Sequence, residues 1–294
     1  MSGSVELPSP HTWHSLVSLA VREDLGSGDI TTALVVPEDA LGEAQLEARQ
    51  ALVVCGLPLA RHVLDAVEPA LEFEPTLAEG DAAPRGSVLA RIRGPLRGLL
   101  AAERVMLNFL MRMSGVASWT RDFVRAVEGT QARIVDTRKT LPGWRSLDKY
   151  ACAVGGAWNH RVGLYDGILL KDNHIAAAGG VALAVKAARS GAPPQFRVQV
   201  EVESEEDAMH AIEAGADFLL LDNWSPEALA ATVPRLREHA LLEVSGGVNI
   251  DNVRAYAESG VSRISIGALT HSAPAADLAL ELCTGGPGAG GRTA

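Results

Sequence analysis

Six cations and two histidines crowd one short stretch of an acidic chain. Between Asp136 and His174 stand Arg138, Lys139, Arg145, Lys149, Arg161 and Lys171, with His160 and His174. Guanidinium groups capture carboxylates and phosphates in two-point contacts, and lysine acts as a compact point charge. The commoner use of such residues is a solvated helix face. Here they follow directly on apolar runs, ARIVD and GILLK, and sit beside Gly155-Gly156, Gly163 and Gly167. That arrangement suits a cavity lined with donors at the ends of strands, and its ligand should be a polyanion.

Carboxylates and glycines extend the set. Glu201 and Asp222 each end an apolar run further along, with Glu203 on the face of Glu201 by period-two alternation. They either balance nearby Lys and Arg or hold Mg²⁺, which takes one or two carboxylates plus substrate phosphates and water. Ser245-Gly246-Gly247 and Ile266-Gly267-Ala268 follow two later runs. Each is a tight turn or a place where backbone N–H groups and a helix N-terminus meet a phosphate. No Ser-His-Asp or Cys-His nucleophile set is visible.

The elements that must carry these residues come in two rhythms. Residues 1–10 are rich in Ser and Pro and are expected to be disordered. Helical spacing follows over 11–24, then short strands such as ALVVC and SVLARIRG around a helix at 57–67. One long helix is expected over 96–113. From 131 onward, six apolar runs alternate with helical segments: RIVD, GILLK, RVQVEVE, FLLLD, LLEVS and RISIG. That alternation is βα periodicity with a parallel sheet. Six strands are fewer than a full eight-stranded barrel, so the expected fold is α/β, an N-terminal α+β sandwich domain plus an incomplete, open (β/α) barrel. Its boundaries are read as 1–113 for the first domain, 114–284 for the barrel and 285–294 for a flexible, glycine-rich tail. Active sites of such barrels lie at the C-terminal ends of the strands.

Whole-chain properties narrow the class. The 294 residues are 47% hydrophobic and 21% charged, a balance that supports a sizeable core. Net charge is −10 and the pI is near 5.3, which argues against nucleic-acid and membrane-surface binding. Cys55, Cys152 and Cys283 are far apart and lack metal-ligand spacing, as expected of thiols in a reducing compartment. No apolar run reaches the length of a membrane span and no signal peptide is recognisable, so a cytoplasmic location is expected.

The motifs also carry a family resemblance. DTRKTLPGWR, GGAWNHRVGLYDGILLKDNH, VEVES, LLLDN, SGGVN and IGALTHS, in that order, resemble the quinolinate phosphoribosyltransferases. One departure is Ala157-Trp158, where the family is usually richer in glycine. The resemblance implies that quinolinate and phosphoribosyl pyrophosphate are the substrates and nicotinate mononucleotide, pyrophosphate and CO₂ the products, with Mg²⁺ as cofactor. It implies that Arg104, Thr137, Arg138, Lys139, His160, Arg161 and Lys171 hold the anions. The two glycine turns, Ser245 to Gly247 and Ile266 to Ala268, with His271 nearby, would take the ribose 5-phosphate. Lys139, Glu201 and Asp222 would act in catalysis, with Glu201 and Asp222 on the metal. From spacing alone Arg104 and Glu103 read as an exposed helix pair. The resemblance raises Arg104 to a substrate residue and implies a homodimer in which it reaches the neighbouring pocket.

Two other readings remain at this level. A relative from the molybdenum system shares several motifs and would act on another aromatic acid. In a different class, Lys171 at a barrel strand end would be the Schiff-base lysine of an aldolase.

Overall fold

Alternation of apolar and charged residues builds the first sheet. The computed structural model describes residues 5–283. Strands β1 (Leu41–Ala48), β2 (Leu52–Val53), β3 (Glu72–Pro75), β4 (Ala82–Ala83) and β5 (Val88–Pro95) precede the long helix Leu96–Ala126. Six strands follow: β6 (Arg133–Val135), β7 (Ile168–Leu170), β8 (Val198–Val202), β9 (Phe218–Asp222), β10 (Leu241–Ser245) and β11 (Arg263–Ser265). The last is β12 (Leu278–Leu282). Along β1, Ala44, Leu46 and Ala48 are buried, while Glu43 faces Arg91 and Arg93 of β5.

Two compact units result, and neither is continuous in sequence. The first takes residues 5–119, 141–155 and 273–283; the second takes 120–140 and 156–272. The expected division after residue 113 is a division along the sequence, and two features make each compact unit discontinuous. Helix Arg145–Gly155 buries Leu147, Tyr150, Ala151 and Cys152, and its Asp148 pairs with Arg112 within the first unit. Strand β12 pairs antiparallel with β1 in the sheet of order β12-β1-β5-β3. The tail expected at 285–294 lies outside the described residues. Residues 8–13 are ordered, against expectation: Pro10–Thr12 form a helical turn, and the Trp13 indole N–H donates to Pro8 O at 2.8 Å.

The long helix also outruns its expected end at residue 113. Ser114 and Gly115 read as a stop, but their polarity is absorbed locally. Ser114 Oγ exchanges hydrogen bonds with Cys55 N and O, both at 3.1 Å, and Ser118 Oγ accepts from Val53 N at 2.8 Å. A Cβ at position 115 would collide with Pro274 O, so glycine answers a close backbone approach rather than a helix end.

The second unit holds the six expected parallel strands, in the order β6-β11-β10-β9-β8-β7. The first strand in the chain pairs with the last, as in a barrel, and the seam between β6 and β7 stays open. In the parallel ladders Glu201 stands opposite Leu220 and Glu243 opposite Arg263. Trp158 extends the β6 edge through a parallel bridge to Val135. Its ring lies 5.8 Å from the guanidinium carbons of both Arg133 and Arg263. Ser204 and Ser225 cap helices Glu205–Glu213 and Pro226–Leu236 by accepting backbone N–H groups. Among the described residues no helix is long and apolar enough to cross a membrane.

Candidate active site

A cavity of about 250 Å³ opens where the parallel strands of the second unit end. Alternate residues of each strand point into it, as period two requires. Leu169 and Lys171 come from β7 and its end, Leu220 and Asp222 from β9, Glu243 and Ser245 from β10. Glu201 enters from β8 and Ser265 from β11, and the segment after β6 adds Thr137, Arg138 and Lys139. His160 and Arg161 line it from the chain between Trp158 and β7.

Four cations therefore share one cavity. Burial first, then the like charge of Arg138, pushes the Arg161 guanidinium below its ordinary pKa, with Asp166 opposing. Arg161 Nη1 donates to Gly167 O at 2.9 Å, while its buried Nε has no hydrogen-bond partner. Holding guanidinium groups against their mutual repulsion suits a ligand that brings several negative charges. Lys139 is placed by its backbone: its N–H donates to Thr137 Oγ1 at 3.1 Å, and its carbonyl accepts from Thr270 Oγ1 at 2.8 Å. Its side chain crosses Gly267, where a Cβ would stand 2.8 Å from Lys139 Cδ.

The acidic side is a coupled pair. Lys171 Nζ lies 2.6 Å from Glu201 Oε2. Burial and then the charge of Glu201 push the Asp222 carboxyl above the ordinary carboxylate range; Lys171 opposes the shift and Glu203 adds to it. Two carboxylates that repel each other at a cavity mouth fit a hard divalent cation that draws its remaining oxygens from substrate. No group of three or more His, Cys, Asp or Glu side chains among the described residues forms an all-protein metal cage.

Glycine geometry shapes the third side. Gly246 and Gly247 have φ of +95° and +63°, which L side chains rarely adopt. A Cβ on Gly246 would strike Asn223 Oδ1. Asn223 itself has φ of +59°, and its N–H donates to Ser245 O at 2.8 Å. Ser245 lines the cavity, whereas Gly246, Gly247, Ile266, Gly267, Ala268 and His271 do not. The Ile266 side chain is buried in the core, so this residue can offer only backbone groups. His271 is exposed, with Nδ1 2.6 Å from Ser272 Oγ.

Several cations of the opening stretch stand elsewhere. Arg145 and Lys149 belong to the first unit, on the helix that buries Leu147 and Tyr150. The donor-lined segment is thus interrupted, because apolar spacing recruits residues 141–155 to another core. His174 closes a helix start, its Nδ1 accepting from Lys171 N at 3.0 Å. Arg104 lies on the long helix in the first unit, largely exposed and 4.0 Å from Glu103.

Sequence reasoning missed the layer beneath the cations. Glu243, Ser265 and Leu220 each lie two residues before a strand-end residue it did select, as does Gln199 before Glu201. Alternation within short strands would have found them, but apolar runs buried on both faces hide that signal. Asp136 was also passed over; its Oδ1 accepts from His160 N at 2.7 Å.

Residues 29–114 match the family described as Quinolinate phosphoribosyl transferase, N-terminal domain, and residues 116–281 match its C-terminal domain. The chain is 44% identical over 271 residues to a nicotinate-nucleotide pyrophosphorylase (carboxylating) of Mycobacterium leprae, spanning 90% of this chain and 94% of that protein. A probable enzyme of the same name from Bacillus subtilis is 38% identical over 260 residues, spanning 88% and 90%. The solved structure of the nicotinate-nucleotide pyrophosphorylase from Francisella tularensis superposes with a TM-score of 0.90 at 34% identity, covering 96% of this chain and all of that one.

Proposed function

The chain belongs to the quinolinate phosphoribosyltransferase family, and from that premise we propose how its cavity divides the work. The reaction joins phosphoribosyl pyrophosphate to quinolinate and releases pyrophosphate and CO₂, giving nicotinate mononucleotide for NAD synthesis. The observation that carries the residue assignment is the convergence of Arg138, Lys139, Arg161 and Lys171 with Glu201 and Asp222 in one cavity.

Arg138, Arg161 and Lys171 bind the two carboxylates of quinolinate and aim its ring nitrogen at the anomeric carbon of the sugar. The nitrogen lone pair forms the new N–C bond as the C–O bond to pyrophosphate breaks, with that electron pair leaving on the pyrophosphate oxygen. Positive charge gathers on the sugar in between, and Glu201 and Asp222 face it with negative charge. The pyridinium then accepts the electrons of the breaking C–CO₂ bond, and the ring carbon takes a proton as CO₂ departs. Lys139 supplies that proton from the cavity wall. Positioning and electrostatics suffice for this chemistry, and no enzyme nucleophile is required.

Glu201 and Asp222 would hold Mg²⁺, which when bound neutralises the pyrophosphate leaving group. The backbone around Ser245 to Gly247 and Ile266 to Ala268, with His271, would receive the 5-phosphate. Arg104 of one protomer would complete the pocket of its partner in a homodimer. Cytoplasmic placement rests on the acidic composition and on cysteines whose spacing is not that of metal ligands. Lys171 serves poorly as a Schiff-base lysine, since that chemistry needs a free amine and its Nζ is ion-paired with Glu201.

The test offers quinolinate, nicotinate and nicotinamide, each with phosphoribosyl pyrophosphate, and measures the mononucleotide formed. Quinolinate alone should turn over, because a monocarboxylate leaves part of the cation cluster without a counter-ion. Comparable turnover of nicotinate would overturn the assignment.

A further inference from the structure

The cavity rests on a floor that the reaction itself does not touch. Glu243 lies on the inner face of β10 and is 1% exposed. Its Oε1 accepts from Ser265 Oγ at 2.7 Å and stands 3.6 Å from His160 Nε2; Arg263 Nη1 approaches Oε2 at 4.0 Å. His160 Nε2 is also 3.1 Å from Gln199 Oε1, on the inner face of β8. The other ring nitrogen, Nδ1, accepts the backbone N–H of Arg161 at 2.8 Å. A hydrogen on Nδ1 would point at another donor, so the hydrogen-bond network assigns the ring proton to Nε2, which donates to Gln199 Oε1 at 3.1 Å while the Glu243 carboxylate faces the ring from 3.6 Å, beyond hydrogen-bond distance. Both ring nitrogens thereby serve the protein, and the imidazole has no ring N–H left to offer a substrate.

We propose that Glu243 is a positioning residue for Arg161, acting through His160. The proposal rests on the reading of Arg161 as a quinolinate anchor. Ser265 holds Oε1 of the carboxylate from β11, while Oε2 makes no hydrogen bond and has the Arg263 guanidinium 4.0 Å away. Gln199 holds the imidazole from below by a hydrogen bond, the Glu243 carboxylate faces the same ring edge with its charge, and Asp136 Oδ1 accepts the His160 backbone N–H at 2.7 Å from the β6 side. The imidazole in turn fixes the start of Arg161. That anchoring is needed because burial and Arg138 both work against the Arg161 guanidinium. An arginine repelled by its neighbour binds well only if it is already held where the ligand will arrive. A nearly fully buried carboxylate is also costly to keep beneath a site for polyanions, which argues that it has a task.

The experiment uses the full-length, ligand-free enzyme with ¹⁵N-labelled histidine. Wild-type His160 should show the Nε2–H tautomer with Nδ1 as acceptor. Glu243→Gln should turn this signal into a mixture of tautomers. By calorimetry the same variant should bind quinolinate about tenfold more weakly, because the charge that faces the imidazole and keeps it oriented is gone. Its affinity for phosphoribosyl pyrophosphate should stay within about twofold, a split that general loss of structure would not give. His160→Asn keeps an acceptor near the Arg161 N–H and should bind quinolinate better than His160→Gln, which does not. Should Glu243→Gln fail to fold, Ser265→Ala removes one donor from the same carboxylate and should shift tautomer and affinity in the same direction. A wild-type ring protonated on Nδ1, or an unchanged tautomer and quinolinate affinity in the folded variant, overturns the proposal. The tautomer is read without substrate, so it decides the positioning chain even if quinolinate proves not to bind.

Discussion

Lys171 Nζ and Glu201 Oε2 lie 2.6 Å apart across the ends of β7 and β8, joining the cationic half of the cavity to its acidic half. If Lys171 turns to a quinolinate carboxylate, Glu201 is released for a cation. Quinolinate should therefore strengthen Mn²⁺ binding, by roughly fivefold on the usual scale of coupling between sites, and Mn²⁺ should strengthen quinolinate binding equally. Lys171→Met should tighten Mn²⁺ binding to the ligand-free enzyme while weakening quinolinate. Electron paramagnetic resonance of free Mn²⁺ checks both, and weaker Mn²⁺ binding in Lys171→Met would sink the idea.

Asp222 gives the metal its own pH signature. Its carboxyl is raised by burial and then by Glu201. In the folded protein it holds its proton to higher pH than in the unfolded chain. Its ionised form thus opposes folding at neutral pH; this penalty begins to shrink as pH falls to the raised folded value and is gone below the unfolded one. Metal-free Asp222→Asn should melt at or above the wild-type temperature at pH 7, with the difference closing on acidification. Its metal-dependent turnover should fall by about a hundredfold, the scale of losing one group aimed at transition-state charge. Full activity of wild type in EDTA would show that Glu201 and Asp222 have another task.

Anchors and bystanders should separate cleanly among the arginines. Arg138→Ala and Arg161→Ala should each weaken quinolinate binding by more than about 1 kcal/mol, as for a lost hydrogen bond to a charge. Arg235 makes a two-point pair with Glu205, at 2.9 and 2.8 Å, on an exposed surface. Arg235→Ala should change stability by no more than about 0.5 kcal/mol. Calorimetric titration and thermal melting measure the two scales; equal effects on quinolinate binding at all three positions would refute the assignment.

The first unit contains a more expensive pair. Arg112 donates to both oxygens of Asp148, at 3.0 and 3.1 Å, and Asp148 is 1% exposed. Burial raises the Asp148 carboxyl even though Arg112 pulls it down. Arg112→Ala removes the two-point partner of that buried charge, leaving it the Leu141 N–H at 3.3 Å and the charge of Arg145, and should cost about 3 kcal/mol by urea unfolding at pH 7. The loss should shrink toward pH 5, because the buried carboxyl can take up a proton. A deficit below 1 kcal/mol would mean that the pair contributes little.

Arg104 can be placed by mixing two inactive variants. If it acts across a dimer, a protomer carrying Arg104→Ala and one carrying Arg161→Ala form a pair with one doubly defective site and one intact site. Random pairing makes about half the dimers mixed, so roughly a quarter of all sites should recover. Mixed dimers that form and stay inactive, or a monomer by light scattering, would remove the proposed exchange.

The six parallel strands were legible because each is a short β-branched or leucine run broken by glycine or a helical segment. Lys171, Glu201, Asp222 and Ser245 were legible because polarity ends those runs abruptly. Glu243 and Gln199 were hidden inside the runs, where a polar residue among valines and leucines gives no periodic signal. Arg145 and Lys149 misled for the opposite reason. Their charge matched the cations around them, but Leu147, Tyr150 and Cys152 on the same helix drew them into another core. Strand β12 could not be read at all, since its partner β1 is remote in sequence and no local pattern reports the pairing.

That remote pairing bears on how the protein is made. Ala44 lies opposite Leu282 in the finished sheet, so β1 must wait for nearly all of the described chain before it meets its outer neighbour. Strand β6 waits in the same way for β11. Contacts between such distant residues are slow to form, and they leave strand edges bare in the meantime. During synthesis both units are therefore incomplete until almost the last strand has left the ribosome. A chain that stalls before residue 278 would expose the free edge of β1 to any other strand that can add to it.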